Sequence, residues 1–444
     1  MQSDSKYREL VVGVSSSIPL ANGSYTTAIN FDNAATTPPF VSVMNAINSF
    51  APWYSSIHRG TGYKSQYSSD MYEKSREIAA AFVKADTASN TVVYVKNTTE
   101  AINKISYRLF RKDNNSIVLS TAMEHHSNDL PWRGKYKVDY VNIDSKGYLS
   151  LQDLERKLKK YHGHVKLVAV SGASNVTGYK NDIHTIAELA HKHRARILVD
   201  GAQLVPHSAV DVLPDSSPGH IDFLVFSGHK MYAPFGTGVL IGPLEDFESR
   251  APEYTGGGTI DVVTHDLVRW AKPPAREEAG TPNIMGVVAL TEAIKTLSTL
   301  GMSNIEKHEK GLVQYALTKL NDIPGIIVYG NRLEFENKVS IIPFNVIDLP
   351  HQITAAALSY EYGIAVRSGC FCAQPYVQSL LDIPRRDIKK YTRNPDMPRP
   401  GMVRISFGLY NTYEEIDVLY KALLNISSHK SEYLKKYESF VKQH

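Results

Sequence analysis

Short apolar runs alternate with longer amphipathic segments from residue 29 to about residue 245. Apolar runs of this length predict buried strands, and the longer periodic segments predict helices. Strands that alternate with helices are typical of a mostly parallel sheet that helices cover on both faces. The predicted strands are 91–95, 116–120, 138–142, 165–171, 196–200, 221–226 and 237–241, and the predicted helices are 66–86, 99–108, 151–160 and 182–194.

The pattern changes beyond residue 245. Residues 246–279 are rich in glycine, proline and charge and predict a long excursion, and the apolar stretch 284–300 predicts a long helix. A smaller α/β unit follows. Its predicted helices are 304–321, 351–362 and 412–426, and its predicted strands are 326–329, 338–344, 364–367 and 402–407.

These patterns divide the chain into three parts. We predict an N-terminal arm at 1–28, a large domain at 29–283 and a small C-terminal domain at 284–444, with 284–300 as the linking helix. Residues 427–444 are rich in charge and are expected to form a solvated helix or to fray.

The composition excludes several classes of protein. The chain has 444 residues, enough for two domains, and its hydrophobic fraction of 43% supplies a large core. The formal net charge of +4 is small and the basic residues are scattered, so we expect no nucleic-acid partner. No apolar run reaches the roughly 18 residues of a membrane span, and no signal peptide is evident. With two cysteines the chain is not a disulfide scaffold, and we expect a cytoplasmic protein.

A lysine directly follows one of the predicted strands. Lys230 comes after Ser227, Gly228 and His229, and a glycine-rich turn lies a few residues beyond it. A desolvated lysine amine with polar or cationic neighbours can bind an aldehyde cofactor covalently. An ordinary surface lysine after a core strand is the alternative.

Two other predicted strands are also followed by polar side chains. Asp200 could keep a pyridine nitrogen protonated, or it could simply cap a helix. Gln203, three residues later, could donate a hydrogen bond to a phenolic oxygen. His125 could stack on a cofactor ring and shuttle protons, since the pKa of histidine lies near neutrality.

Hydroxyl and amide side chains follow two further strands. Thr98 and Thr99 begin a predicted helix, whose N-terminal amides and hydroxyls could bind a phosphate or form a helix cap without a ligand. Asn175 follows the strand 165–171. Because ligands collect at the carboxyl ends of parallel strands, these positions predict a common site.

Together these segments resemble the class V aminotransferase family of fold type I pyridoxal phosphate (PLP) enzymes. Within that family they are similar to the cysteine desulfurase and selenocysteine lyase branch. The resemblance extends from about residue 29 to about residue 426. It rests on the segments Phe31–Thr37, His58–Gly60, Thr98–Glu100, Glu124–Asn128, Ser174–Gly178, Asp200–Gln203, Ser227–Lys230, Gly256–Thr259 and Glu278–Pro282.

The resemblance implies an α/β fold and a role for each matching residue. Lys230 would carry PLP and move the Cα proton, and Cys372 would take the sulfur of cysteine as a persulfide and leave alanine. The implied cofactor-binding residues are Thr98, Thr99, His125, Asn175, Asp200, Gln203, Ser227, His229, Lys230 and Thr259. The implied substrate-binding residues are Arg404, Asn175, Arg367 and Ala35, and Arg367 is a candidate to favour the Cys372 thiolate. Thr259 would reach the site of the neighbouring subunit in a homodimer, and a sulfur-acceptor protein is a possible partner.

Two features depart from this family pattern. Cys370 and Cys372 form a Cys-x-Cys pair, and the segment 376–400 is longer than usual and basic. These two features leave the substrate and the sulfur acceptor undetermined. The alternatives are a selenocysteine lyase, a C–S lyase or aminotransferase that does not use Cys372, and an inactive scaffold. Cysteines are also common in cores, so a buried pair near a strand end is another interpretation. We expect no metal site, because the two cysteines have no second ligand pair at metal spacing.

Overall fold

A seven-stranded sheet forms the centre of the larger part of the chain. The structure is a computed structural model that describes residues 7–111, 115–394, 397 and 399–438. The strand Gly238–Pro243 pairs antiparallel with both of its neighbours, and the other strand pairs of this sheet are parallel, so the predicted mostly parallel sheet is confirmed. In spatial order the strands are Asn90–Val95, Gly238–Pro243, Phe223–Ser227, Arg196–Asp200, Val165–Ser171, Ile117–Thr121 and Lys137–Val141.

Helices cover both faces of this sheet, because alternate strand residues point to opposite sides. Val168 and Val170 join a core that includes residues of the helices Tyr63–Phe82 and Ile284–Leu300. Leu167 and Ala169 face the other way, into a core with the helix Thr98–Leu109. The helices of this part are Val41–Phe50, Tyr63–Phe82, Thr98–Leu109, Leu151–Lys160, Ile183–Lys192, Leu244–Glu248 and Ile284–Leu300.

The structure adds elements that the periodicity did not predict. The helix Val41–Phe50 was missed, and the excursion 246–279 contains a hairpin of the strands Ile260–Val263 and Val268–Trp270. These strands are short and mostly exposed, so they carry no clear apolar pattern. The helices Leu151–Lys160 and Ile284–Leu300 have the predicted bounds.

The C-terminal part contains a four-stranded antiparallel sheet. In spatial order its strands are Ile326–Val328, Ile341–Val346, Met402–Ser406 and Arg367–Gly369. The predicted strand 364–367 is wrong as a single element: Ile364–Ala365 pairs with Ile29–Asn30, and the chain then turns to a different sheet. The helices are Met302–Asn321, His351–Tyr362, Gln374–Leu380, Arg385–Arg393, Tyr413–Ser428 and Lys430–Lys436.

The N-terminal segment packs against this C-terminal part. A hairpin of Ser17–Pro19 and Tyr25–Thr27 precedes the strand Ile29–Asn30. Ile29 and Phe31 lie in the core of the C-terminal part, which includes Leu317 and Ile405. Tyr433, in the predicted tail, is buried in the same core. The domain boundaries stay a prediction, and residues 1–6 of the arm, 439–444 of the tail and 395, 396 and 398 of the basic segment lie outside the described residues.

Among the described residues, no single helix is both long and apolar enough to cross a membrane. The helices Ile284–Leu300 and Met302–Asn321 meet that criterion only as a pair, which is bent by 79°.

Candidate active site

A cavity of about 470 Å³ lies where the parallel strands of the large sheet end. Residues from both parts of the chain line it, so the site depends on how the two sheets meet. The structure brings together all but one of the predicted site residues: Ala35, Thr98, Thr99, His125, Asn175, Asp200, Gln203, Ser227, His229, Lys230, Arg367, Cys372 and Arg404.

One end of the cavity is built to bind an anion. The helix Thr98–Leu109 begins there, so its N-terminal amides face the cavity and favour negative charge. The backbone N–H of Thr98 donates to Ser227 Oγ at 2.8 Å, and the hydroxyls of the two residues lie 2.7 Å apart. Thr99 Oγ1 lies 2.7 Å from Ser127 Oγ. A Cβ at Gly238 would lie 2.8 Å from the Cα of Asn97, so the helix start reaches this place only because residue 238 is glycine.

Lys230 lies in the cavity at the end of a short 3₁₀ turn, Gly228–Lys230. Burial lowers the pKa of its amine to about 8, and the charge of Arg404 acts in the same direction against the opposing effect of Asp200. A substantial neutral fraction near pH 8 makes this amine a nucleophile. The turn is held by the neighbouring segment, because Thr36 Oγ1 and the N–H of Thr37 both donate to the carbonyl oxygen of His229, each at 2.9 Å.

Asp200 and Gln203 place buried polar groups at the cavity. Asp200 is buried, burial raises the pKa of its carboxyl, and its Oδ1 accepts a hydrogen bond of 3.0 Å from the N–H of Ala202. Gln203 Nε2 donates to Ala34 O at 2.7 Å, while its buried Oε1 has no hydrogen-bond partner among the described residues. A cationic ring nitrogen beside Asp200 would favour the ionised carboxylate. The pair therefore fits a protonated pyridine ring that carries a polar substituent.

His125 is neutral in this site. Burial, together with the charges of Lys230, His126 and Arg404, lowers the pKa of its imidazole to about 3. Its Nδ1 accepts a hydrogen bond of 3.1 Å from the N–H of Ser127. This pKa lies below the near-neutral value expected for histidine, because burial opposes the charged form. The proton-shuttling role of His125 stays a prediction. A neutral aromatic ring suits stacking on a cofactor better than proton transfer.

Glu124 supports this segment and was not predicted to have a role. It is fully buried, and burial raises the pKa of its carboxyl to about 7. It accepts hydrogen bonds from Thr121 Oγ1, from Asn128 Nδ2 and from both the N–H and the hydroxyl of Ser171. Glu124 thus ties the His125 segment to the strand Val165–Ser171.

Arg404 is buried beside the cavity and is held by two groups. Its Nη1 donates to Asn175 O at 2.8 Å, and its Nη2 donates to Asp32 Oδ1 at 3.1 Å. Burial lowers the pKa of the guanidinium to about 10, so it is charged at neutral pH. Its Nε is buried with no hydrogen bond to any part of the chain that the structure describes. A buried, incompletely satisfied guanidinium is suited to a ligand carboxylate.

Asp32 lies between two arginines. Its second carboxylate oxygen is 3.0 Å from Nη2 of Arg367. The sequence motif around Asp32 was recognised, but no role was predicted for the residue. The structure shows that it orients Arg404 and that Arg367, which also lines the cavity, is bound to the same carboxylate.

Backbone atoms hold the cysteine loop against segments that follow two strands of the large sheet. Asn175 Nδ2 donates to Phe371 O at 2.7 Å, and the N–H of His126 donates to Cys372 O at 2.7 Å. Phe371 and Cys372 have φ values of 51° and 54°, a left-handed conformation that is unfavourable for side chains other than glycine. These contacts keep the loop in that conformation.

The two cysteines point to different environments. Cys372 is exposed and lines the cavity, whereas Cys370 is half-buried and its Sγ donates to Pro400 O at 3.3 Å. Burial raises the pKa of the Cys370 thiol. The interpretation of a buried core pair is therefore wrong for Cys372.

Thr259 is the predicted site residue that the chain does not bring to the cavity. It is buried in a turn, where its Oγ1 donates to Gly256 O at 2.7 Å. Its role in the site of a neighbouring subunit stays a prediction.

Comparison with known proteins agrees with this geometry. The sequence model of the family described as aminotransferase class-V matches residues 29–419. The chain belongs to the class V aminotransferase family. Its mixed seven-stranded sheet flanked by helices is the architecture of fold type I PLP enzymes, and membership indicates a PLP-dependent enzyme.

Several members of this family are similar to the chain over most of its length. A probable cysteine desulfurase from Halalkalibacterium halodurans is 36% identical over 411 residues, which cover 90% of this chain and 93% of the relative. The apo structure of the cysteine desulfurase from Thermococcus onnurineus has a TM-score of 0.80 at 32% identity, covering 90% of this chain and 95% of the other. The structure of the cysteine desulfurase CsdA from Escherichia coli, in an S-sulfonic acid form, has a TM-score of 0.78 at 27% identity and covers 95% and 98%.

Proposed function

We propose that this enzyme is a PLP-dependent cysteine desulfurase, which converts cysteine to alanine and holds the sulfur as a persulfide on Cys372. The observation that carries the proposal is the exposed Cys372 thiol in the same cavity as Lys230, Asp200 and Arg404. The similarity to enzymes named cysteine desulfurase supports the same reaction.

The cavity residues fit the parts of PLP. Lys230 would be the covalent attachment point, and Asp200 would pair with the pyridine nitrogen. The helix start at Thr98, together with Thr99, Ser227 and His229, would bind the phosphate. Gln203 would hydrogen-bond to the phenolic oxygen, and His125 would stack on the ring. Bound PLP supplies an electron-accepting ring that stabilises negative charge at the substrate Cα.

Arg404 orients the substrate. Its guanidinium binds the amino-acid carboxylate in a bidentate manner. Asp32 and Asn175 O keep the guanidinium plane in position from the protein side. Asn175 and Ala35 complete the wall of the cavity around the substrate.

Lys230 and Cys372 act on the substrate atoms. The neutral amine of Lys230 takes the Cα proton, which its lowered pKa permits near pH 8. The Cys372 thiolate then forms an S–S bond to the substrate sulfur while the Cβ–S bond breaks. The carbon fragment leaves as alanine after it gains a proton at Cβ and Lys230 returns a proton to Cα. Arg367 lies on the same cavity wall as Cys372.

Further parts of the proposal follow from the family. The enzyme acts as a homodimer in which Thr259 belongs to the partner's site, it works in the cytoplasm, and a sulfur-acceptor protein removes the persulfide. These statements rest on resemblance, and analytical ultracentrifugation tests the dimer directly.

Product analysis tests the reaction. The purified enzyme is incubated with cysteine, selenocysteine or cystine, and alanine, sulfide, pyruvate and keto acids are measured. We expect alanine from cysteine, in an amount equal to persulfide plus sulfide. Pyruvate would identify a C–S lyase, and a keto acid would identify an aminotransferase. A strong preference for selenocysteine would identify a selenocysteine lyase. Absence of PLP absorbance would indicate the inactive scaffold.

A further inference from the structure

His126 follows His125, the proposed stacking residue, and contacts the cysteine loop twice. Its backbone N–H donates to Cys372 O at 2.7 Å. Its side-chain Nε2 accepts a hydrogen bond of 3.3 Å from the backbone N–H of Gln374. One residue therefore holds the loop at the carbonyl of Cys372 and again at the amide two residues later.

The contact with Gln374 determines the protonation of the His126 ring. A backbone N–H only donates, so Nε2 must carry a lone pair, and in the neutral ring the hydrogen is on Nδ1. A doubly protonated ring would place its own N–H against that of Gln374. Burial and the charge of Arg133 lower the pKa of the His126 imidazole against the opposing effect of Asp129, which favours the neutral ring that the contact needs.

The ring supplies an acceptor at the start of a helix. The helix Gln374–Leu380 begins with the residue whose N–H His126 accepts, and the first N–H groups of a helix have no carbonyl partner within it. The N-cap residue, Ala373, makes no side-chain hydrogen bond to the helix. Nε2 of His126 takes the place of such a cap, so the ring determines where this helix starts relative to the cavity.

The conformation of the cysteine loop depends on contacts of this kind. Phe371 and Cys372 both have left-handed backbone conformations, which cost free energy in residues other than glycine. Asn175 Nδ2 holds Phe371 O, and the backbone N–H of His126 holds Cys372 O. The contact from the His126 ring to Gln374 adds to these two, and a substitution can remove it while leaving the backbone contact in place.

The segment that carries His126 is itself firmly held. The buried carboxylate of Glu124 accepts hydrogen bonds from Asn128 Nδ2 and from the N–H and hydroxyl of Ser171. Glu124 and Asn128 lie on either side of His125 and His126 in the chain, so the two histidines are fixed relative to the large sheet. A group held in this way can position another side chain accurately.

We propose that His126 is a positioning residue for Cys372, whose ring holds the loop through the Gln374 N–H so that the thiol meets the substrate sulfur. The proposal rests on the proposed role of Cys372 as the nucleophile. Because His125 and His126 are consecutive, one short segment sets the place of both the cofactor ring and the attacking sulfur. The sequence predicted no role for His126, because its partner Gln374 is 248 residues away.

Two substitutions separate the hydrogen bond from the packing of the ring. His126→Phe keeps an aromatic ring without an acceptor, whereas His126→Gln can place an amide oxygen where Nε2 lies. In single-turnover reactions of the full chain, with PLP bound, mass spectrometry measures the rate at which cysteine forms the Cys372 persulfide. We expect the rate to fall at least about tenfold in His126→Phe, since a misplaced nucleophile loses rate steeply. His126→Gln should keep most of the rate of the parent.

Exchange of the alanine Cα proton in D₂O is the internal control, because it requires Lys230 and bound PLP but not Cys372. NMR should show the same exchange rate in the parent and both variants, which also shows that the variants fold. In steady-state kinetics, His126→Phe should lower kcat and leave KM for cysteine near that of the parent, since Arg404 binds the substrate.

Three results would overturn the positioning role of His126. They are a persulfide rate in His126→Phe equal to that of the parent, equal losses in His126→Phe and His126→Gln, and a loss of Cα exchange as large as the loss of persulfide. Absence of the persulfide in the parent is a different result, because it would overturn the proposed function and with it the role of His126.

Discussion

The carboxylate of Asp32 accepts a hydrogen bond of 3.1 Å from the guanidinium of Arg404, which is buried at the side of the cavity. Asp32 belongs to the N-terminal segment and Arg404 to a strand of the C-terminal sheet. The interaction therefore joins the two ends of the chain at the proposed substrate-binding position.

Replacing Asp32 with asparagine should destabilise the protein. Arg404 would lose its charged partner while staying buried, and we expect the free energy of unfolding to fall by about 2 kcal/mol. Urea denaturation measures this change. Arg367→Ala is the control, because Arg367 is 49% exposed and its pair with Asp32 should contribute less than about 1 kcal/mol. Equal losses in the two variants would contradict a special role for the Arg404 contact.

Replacing Arg404 with lysine should impair turnover more than folding. Lysine keeps the charge but cannot make the bidentate contact with a carboxylate. We expect this to raise the transition-state free energy by about 2–4 kcal/mol, which lowers kcat/KM for cysteine roughly 30- to 900-fold. Steady-state kinetics measure it. Kinetics like those of the parent would exclude Arg404 as the carboxylate-binding residue.

Lys230 should be the residue that binds PLP. Borohydride reduction followed by peptide mapping should place the cofactor on Lys230, and Lys230→Ala should lose turnover almost completely. Lys338 provides an internal control, because burial also lowers its pKa, to about 7, but it does not line the cavity. Reduced PLP attached to Lys338 or to another residue would exclude Lys230 as the PLP-binding residue.

Uptake of PLP by the apoenzyme should depend on pH through the same amine. Only the neutral amine attacks an aldehyde, and the pKa of Lys230 is about 8. The rate of uptake should therefore rise between about pH 7 and pH 9 and level off above about pH 9. Stopped-flow absorbance measures the rate. A rate that still increases steeply at pH 10 would indicate an amine with the usual lysine pKa.

The two cysteines should behave differently towards cysteine. Cys372→Ser should abolish the persulfide and the alanine product while PLP absorbance stays intact, because the cofactor contacts lie on other residues. Cys370→Ser should keep most of the activity, since its thiol faces Pro400 and not the cavity. Mass spectrometry of the loop peptide after substrate measures both. A persulfide on Cys370 alone would reverse the two roles.

Local pattern alone determined the large sheet and most helices that surround it. Buried strands and amphipathic helices differ in apolar period, and the helices Leu151–Lys160 and Ile284–Leu300 were predicted to their bounds for this reason. The site followed from the same pattern. Parallel strands end at one edge of a sheet, so Asp200, His125 and Lys230 had to lie near one another.

Other features were decided only by contacts between distant parts of the chain. Asp32 reaches Arg404 because the strand Ile29–Asn30 pairs with Ile364–Ala365, more than 330 residues away in sequence. The same pairing splits the predicted strand 364–367, since its first half and its second half bond to different partners. The exposure of Cys372 and the burial of Cys370 depend on where Asn175, His126 and Pro400 hold the loop. Apolar periodicity records which face of an element is buried, but carries no information about which distant element covers it.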